Sequence, residues 1–458
     1  MNQPALLSNK VLFGYGLSAI PAMYGYVLIL IMYMKYAVDD LGASPAVVGS
    51  IFLIAKFWDA VSDPLIGNLS DRTEHATGRR KPWLRAAAPL LALFSIMAWA
   101  PPASLEGFHL SIWIGVAVIG FYTAYTMFDV PHMALGAEVT LLPNERNRVF
   151  GVRQLMRIVG MLIAGTLGTY LVSQGTPYAT AMAYALGVLT IILIFTGVSL
   201  LPPERASFKG RGGQNPYRAL RDVLANPHAR LLLLIIFIDA IGVGGIGVLL
   251  PFMVEYILKM DGMLPLFMAI NMLASLAMVP GWIWLAGRFD KRKLIFWAFV
   301  ASGLGYGLVL LITEGNWMIM ALSSLIAGGS SSCANVLGYS LKSEIIDCDE
   351  YLTGERKEGA YFAGWSFMTK LGGGIMVALV GFALQWSDFQ PNVADQTALV
   401  DNTILLLMGG LPLVCFLAGA AAFTRFGLTA EAYAKIREEL DARARGDSVF
   451  KPGVGTAH

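Results

Sequence analysis

Long apolar stretches, broken at intervals by short polar ones, dominate the chain. A helix needs roughly 20 apolar residues to cross about 30 Å of hydrocarbon. Twelve stretches qualify: approximately Leu12–Tyr36, Val47–Leu69, Leu84–Pro101, Leu110–Leu135, Phe150–Val172, Ala179–Leu200, Leu231–Ile257, Leu264–Ala286, Leu294–Ile312, Trp317–Leu341, Ala360–Trp386 and Asn402–Phe423. The second, fourth and eleventh carry charges inside an otherwise apolar run. The first, about 25 residues long with no small-residue cleavage site after it, exceeds the apolar part of a signal peptide and is expected to remain a helix.

The distribution of basic residues supports this count. With the N-terminus, every even-to-odd loop and the C-terminal tail assigned to the cytoplasm, 28 of the 33 Lys and Arg fall on that side, as the positive-inside rule requires. The expected architecture is an all-α membrane protein with twelve transmembrane helices and both termini cytoplasmic. The longest polar interruption splits it into residues 1–201, a central cytoplasmic loop over 202–230, a second six-helix part over 231–425 and a cytoplasmic tail over 426–458. Tandem six-helix halves are the pattern of the major facilitator fold. A faint repeat agrees: Gly67-x-x-x-Asp71-Arg72…Gly78-Arg79-Arg80-Lys81 follows the second span, and Gly287-Arg288-Phe289-Asp290-Lys291-Arg292-Lys293 follows the eighth. The first copy resembles a loop signature of the major facilitator superfamily, which implies a gating role for Gly67, Asp71, Arg72, Arg79 and Arg80.

Composition narrows the function. The chain is 56% hydrophobic and 14% charged, against about 25% charged in soluble proteins. That excludes a soluble enzyme and a disordered chain. A formal net charge of +2 gives no footprint for nucleic acid, and three cysteines in 458 residues make no disulfide framework. The five histidines show no metal-ligand spacing, so a membrane enzyme is not expected, nor any cofactor.

The informative residues are ionisable ones at membrane depth, where charge is costly and marks function by default. Asp59 and Asp63, four apart, share one helix face. Two carboxylates one turn apart in low dielectric persist when one is protonated or a cation sits between them. Pro64 leaves the Ala60 carbonyl without its usual donor, a further oxygen for Na⁺, Li⁺ or H⁺. The competing reading is a structural ion pair with Lys56. Asp129 follows Thr126 by three residues and precedes Pro131; it is either a site residue or a buried acid bonded to a neighbouring helix. Lys370, about ten residues into its span beside a glycine run, is placed to pair with a first-half carboxylate. Arg153 and Arg157 can reach an anionic or hydroxylated substrate or snorkel to the surface. Asp239 lies beside a glycine run read as helix packing or a hinge, and His132 reads as a hydrogen-bonded structural histidine.

These residues resemble the glycoside–pentoside–hexuronide:cation symporter family. Trp58-Asp59-Ala60-x-x-Asp63-Pro64 is similar to its second-helix cation motif, and Tyr125-Thr126-x-x-Asp129-x-Pro131 to its fourth helix. Arg153 matches a fifth-helix arginine. Asp347-x-Asp349-Glu350-Tyr351-x-x-Gly354-x-Arg356-x-Glu358-Gly359 resembles the loop before helix eleven, and Lys370 falls on that helix's lysine. The resemblance implies symport of a sugar, glycoside or uronide with Na⁺ or H⁺ by alternating access, across the plasma (inner) membrane. It makes Asp59 and Asp63 the principal ligands of the monovalent cation, with Thr126 and Ser62 beside them. Asp129, Arg153, Tyr125, Trp365 and Lys370 would meet substrate, with Lys370 and Lys56 in coupling. The chain departs from the galactoside pattern at Met23 and Met133, and Ser62 stands where an asparagine is found. The same branch includes a lysophospholipid symporter, so an amphiphilic solute is the alternative substrate; a non-transporting membrane sensor ranks lower. The chain is expected to act as a monomer, with the bilayer, a small molecule and a cation as its partners.

Overall fold

The computed structural model describes residues 7–140, 143–204, 223–224, 226–260, 262–353, 358–428 and 430–445. Among them every regular element is a helix. Twelve are long and apolar enough to cross a membrane: α1 (Asn9–Asp40), α2 (Pro45–Arg72), α3 (Lys81–Trp99), α4 (Gly107–Gly136), α5 (Arg148–Ser173), α6 (Thr176–Ser199), α7 (Pro227–Ile257), α8 (Leu264–Ala286), α9 (Lys291–Leu311), α10 (Trp317–Thr353), α11 (Tyr361–Trp386) and α12 (Ala398–Phe423). A further helix, α13 (Ala430–Arg445), follows. The charged segments α2, α4 and α11 are each one continuous helix.

Local chemistry sets the ends. Pro45 occupies the first turn of α2, where its missing N–H costs nothing. The Asn226 side chain accepts from the amides of His228 and Ala229 at the start of α7, and Asp290 accepts from the Arg292 amide at the start of α9. Large apolar side chains are widely exposed, with Leu276 at 62% and Trp297 at 63%. In water such a surface would drive aggregation; in hydrocarbon it is solvated. The chain is a multi-pass membrane protein.

Two compact units are present. The first comprises Met1–Gly213, Gly247–Pro265 and Gly374–Ile404; the second comprises Gln214–Ile246, Leu266–Gly373 and Leu405–His458. Inside the first, α1 packs on α5 and α6, and α3 and α2 pack on α4. Inside the second, α7 and α9 pack on α12, and α9 on α10. The pairings repeat at a distance of six helices, and so do close approaches. A Cβ on Gly160 of α5 would meet the Ile20 carbonyl of α1 at 2.5 Å, and one on Gly372 of α11 would meet the Phe237 carbonyl of α7 at 2.9 Å. Both positions exclude any larger side chain.

The tenth span differs from the sequence reading. α10 runs on to Thr353, so Asp347, Asp349, Glu350 and Tyr351 lie on a helix and not in a loop, and Lys342 lies within a span. The physical reason is a second packing partner: Leu341, Ile345, Ile346 and Cys348 join Leu428 and Ile436 in one apolar cluster. Tyr433 of α13 also donates to Asp347 Oδ2 at 2.8 Å, with Arg437 at 3.5 Å from the same oxygen. Gly354, Arg356 and most of the central loop lie outside the described residues; Glu358 and Gly359 open the helix that continues into α11.

Candidate functional site: two charge clusters joined by α4

In the first unit, α2 and α4 bring Asp59, Asp63 and Thr126 together. The Thr126 hydroxyl lies 2.8 Å from Asp59 Oδ1 and 3.2 Å from Asp63 Oδ1. Asp59 and Thr126 are fully buried. A hydroxyl has one proton, so it can serve one carboxylate at a time. Two carboxylates converging on one donor bring two negative charges close together, a setting that favours a monovalent cation or a proton. Ser62 is buried beside them, and its hydroxyl donates to the Asp59 backbone carbonyl at 3.2 Å.

Lys56 takes a different place from the ion pair considered above. Its ammonium donates to the Tyr26 hydroxyl at 3.0 Å and sits 4.6 Å and 4.2 Å from the ring centres of Tyr26 and Tyr122. This is a cation–π cage. Neither tyrosine was singled out from sequence; their spacing on α1 and α4 reads as ordinary apolar packing.

One turn along α4 stands the second cluster. Arg153 Nη2 approaches Asp129 Oδ1 at 2.5 Å, and Arg157 Nη1 approaches the same oxygen at 3.2 Å. Arg153 is further held by its Nε, which donates to His132 Nδ1 at 3.2 Å. His132 Nε2 in turn lies 2.9 Å from the Tyr15 carbonyl, and the Tyr15 hydroxyl donates to the His132 carbonyl at 2.9 Å. The two rings stack at 4.1 Å. His132 is thus the structural histidine expected, and it fixes the arginine. Tyr125 is buried at the same level, 4.8 Å from the Tyr26 ring and stacked on Phe121.

The first unit therefore assembles Asp59, Asp63, Thr126, Ser62, Lys56, Tyr125, Asp129 and Arg153, and adds Arg157. Trp365 and Lys370 belong to the second unit. Trp365 is buried there against Tyr361 and Phe362, with Lys342 Nζ 5.4 Å above its ring.

The basic motif after α2 forms its own network inside the first unit. Arg80 pairs with Asp71 and donates to the Ser70 hydroxyl at 2.5 Å. Arg79 reaches Asp71 at 3.6 Å and Glu138 at 2.7 Å, and Arg80 reaches Glu138 at 3.3 Å. Glu204 accepts from the backbone amides of Arg79, Arg80 and Lys81 at 2.8, 3.0 and 2.8 Å, which caps the start of α3. Gly78 makes this possible: its φ is +111°, and a Cβ there would clash with the Glu204 side chain. Arg72 is exposed, and a Cβ on Gly67 would find its nearest neighbour at an ordinary 3.6 Å. Glu138 and Glu204 were missed from sequence, although each is an acid placed near the basic run's level and was available as its counter-charge.

At the opposite end of α1, Lys35 bridges Asp39 at 2.7 Å and Glu255 at 2.8 Å. The Tyr256 hydroxyl donates to Asp39 at 2.7 Å, and Asn392 Nδ2 donates to the Asp39 carbonyl at 2.8 Å. Asp39 and Glu255 lie in π-turns that close α1 and α7, a feature frequent at functional positions.

Comparison with known proteins identifies the family. A family model described as MFS/sugar transport protein matches residues 14–430. The isoprimeverose transporter of Lactiplantibacillus pentosus is 26% identical over 442 residues, covering 92% of this chain and 90% of that one. Sodium-dependent lysophosphatidylcholine symporter 1 of Homo sapiens is 23% identical over 444 residues, covering 89% of this chain and 81% of that one. The crystal structure of a D-xylose-proton symporter superposes with a TM-score of 0.67 at 12% identity, over 91% of this chain and 97% of that one. That likeness concerns the fold alone.

Proposed function

The chain belongs to the MFS/sugar transport protein family, and on that premise we propose that it is a secondary transporter coupling a monovalent cation, Na⁺ or H⁺, to symport of a sugar, glycoside or uronide. The observation that carries this reading is the single Thr126 hydroxyl shared by Asp59 and Asp63. It joins a carboxylate pair to the helix turn that also bears Asp129.

Coupling follows from that arrangement. Thr126 and Asp129 are three residues apart on one face of α4. A cation held by Asp59 and Asp63 removes their mutual repulsion and fixes Thr126, which orders the α4 turn presenting Asp129 to substrate. Pro131 deprives the Met127 carbonyl of its usual donor, so this turn is more compliant than regular helix. Asp129 Oδ2 makes none of the bonds that Arg153 and Arg157 make to Oδ1, and it accepts a substrate hydroxyl. Lys370 is assigned to coupling by its match to the family's helix-eleven lysine. Both termini are cytoplasmic, the chain acts as a monomer, and the Asp71–Arg79–Arg80 network stabilises the state closed on the cytoplasmic side as the cavity alternates.

The test is uptake into proteoliposomes, driven by a Na⁺ gradient at fixed pH and by a pH gradient without Na⁺. Concentrative uptake with either ion supports symport; equal uptake with neither makes the protein a uniporter. A second reading, an amphiphilic substrate, draws on the relative named as a lysophosphatidylcholine symporter across 89% of this chain. Thermal-shift screening of glycosides beside lysophospholipids separates the two.

A further inference from the structure

The symport reading leaves Arg157 unused, and the structure gives that residue a definite place. Asp129 supplies one negative charge, while Arg153 and Arg157 both bind its Oδ1, at 2.5 and 3.2 Å. Among the described residues, Asp129 is the acid that pairs with either guanidinium. Asp59 and Asp63 converge on Thr126 instead. His132 contributes no charge: its Nδ1 accepts from Arg153 Nε, and its Nε2 has the Tyr15 carbonyl to donate to. Those contacts describe the neutral ring. Tyr15 and Tyr125 are phenols and carry no charge at pH 7. Lys56, in its tyrosine cage, is itself a cation.

The second guanidinium is not there by snorkelling. Arg157 lies nine residues into α5 from Arg148, about 14 Å along the axis, and it points to Asp129. Its side chain is 23% exposed, whereas Arg153 is 8% exposed and is locked by His132. A guanidinium has five N–H donors in a planar fork. At Arg157, Asp129 takes Nη1, and Tyr125 lies alongside. Donors therefore remain for a planar, two-oxygen acceptor.

We propose that Arg157 gives the substrate site a standing positive charge and makes it select a monoanionic glycoside, with a carboxylate on the sugar, over its neutral counterpart. The proposal rests on the symport reading and narrows its substrate. Arg157 is the specificity-determining residue: it binds the carboxylate, while Asp129 Oδ2 takes a hydroxyl. One consequence is electrical. Protein side chains return to their places each cycle, so the charge moved is that of the cargo. A monovalent cation with a monoanion moves none; the same cation with a neutral sugar moves one positive charge.

The experiment uses the full chain, purified and in proteoliposomes, at saturating Na⁺ and fixed pH. Methyl glucuronide and methyl glucoside differ only at C6. Binding of the two is compared for the wild type, Arg157→Gln and Arg157→Lys, and Na⁺-driven uptake is recorded together with membrane current. The glucuronide is expected to bind at least about tenfold more tightly, as a charge-assisted pair provides. Arg157→Gln brings the ratio close to one, and Arg157→Lys, which keeps the charge, retains part of the preference. Glucuronide uptake runs without current. Equal or tighter binding of the glucoside by the wild type overturns the proposal, as does one positive charge moved per glucuronide. Cation-driven uptake that prefers the glucoside overturns the proposal and leaves the symport reading standing. Uptake of either glycoside indifferent to both ion gradients removes the symport reading and this inference with it; binding of neither overturns the inference and leaves symport of another solute standing. Should Arg157→Gln fail to fold, the wild-type preference, the current and the lysine variant still decide.

Discussion

Replacing Asp63 by asparagine isolates what the second carboxylate contributes, because the side chain keeps its size and one oxygen ligand. Asp59 Oδ1 and Asp63 Oδ1 lie 2.8 and 3.2 Å from the same hydroxyl oxygen, so they are at most about 6 Å apart. At an effective dielectric of about 20 their repulsion is then at least roughly 3 kcal/mol. A monovalent cation between them, about 3 Å from each, gains roughly 5 kcal/mol from each carboxylate on the same scale. Asp63→Asn forfeits one such attraction. The amide oxygen and entering water return part of it, leaving a net loss of about 3 kcal/mol, or roughly a hundredfold in cation affinity. Linkage carries the effect to substrate. A cation that raises substrate affinity by about 5–150-fold in the wild type should raise it hardly at all in the variant over the same range of Na⁺. Calorimetric titration of substrate at increasing Na⁺, at fixed pH and then with pH varied in the absence of Na⁺, reads both quantities. Wild-type cation stimulation in Asp63→Asn would refute the reasoning, and the paired aspartates would then have a structural role.

Asp129→Ala should abolish substrate binding while the thermal unfolding profile stays cooperative; wild-type affinity would mean the pocket lies elsewhere. Asp71→Asn removes one of the two carboxylates paired with Arg79 and Arg80 and should shift the resting population toward the inward-open state, seen as faster cytoplasmic labelling of an engineered cavity cysteine; an unchanged rate counts against the latch. Glu204→Ala strips the cap from three amides of α3 and should destabilise the fold by about 1–2 kcal/mol, measured by thermal unfolding, with little change in substrate affinity.

The paired roles of α4 explain why these effects should separate. Thr126 meets the paired carboxylates of Asp59 and Asp63 and Asp129 meets the arginines, yet both ride on one helical turn next to Pro131, which removes a backbone donor. Losing Asp63 should therefore uncouple the ligands before it prevents substrate from binding. Losing Asp129 should remove substrate and leave the cation pair intact. At the basic end, Glu204 holds the backbone of the motif while Asp71 and Glu138 hold its side chains. The backbone cap and the side-chain pairs can accordingly be tested independently.

Much of this protein is written in one-dimensional pattern. Twelve spans follow from apolar runs of bilayer length, because lipid leaves a chain few ways to satisfy its backbone other than continuous helix. The shared face of Asp59 and Asp63, and the alignment of Thr126 with Asp129, follow from helical periodicity, which needs only the spacing. Partners across helices are a different matter. That Thr126 meets both carboxylates, that Lys56 rests among Tyr26 and Tyr122, and that Arg157 turns to Asp129 were decided by how helices pack. The extension of α10 to Thr353 was likewise decided by α13, whose Tyr433 and Arg437 hold Asp347. Glu204 finds the amides of residues 79–81 from more than 120 positions away, through a glycine turn that leaves room for it. Periodicity specifies which side of its own helix a residue occupies. Which neighbour that side faces is set by close approaches such as Gly160 on Ile20 and Gly372 on Phe237, and these depend on the shapes of two surfaces at once.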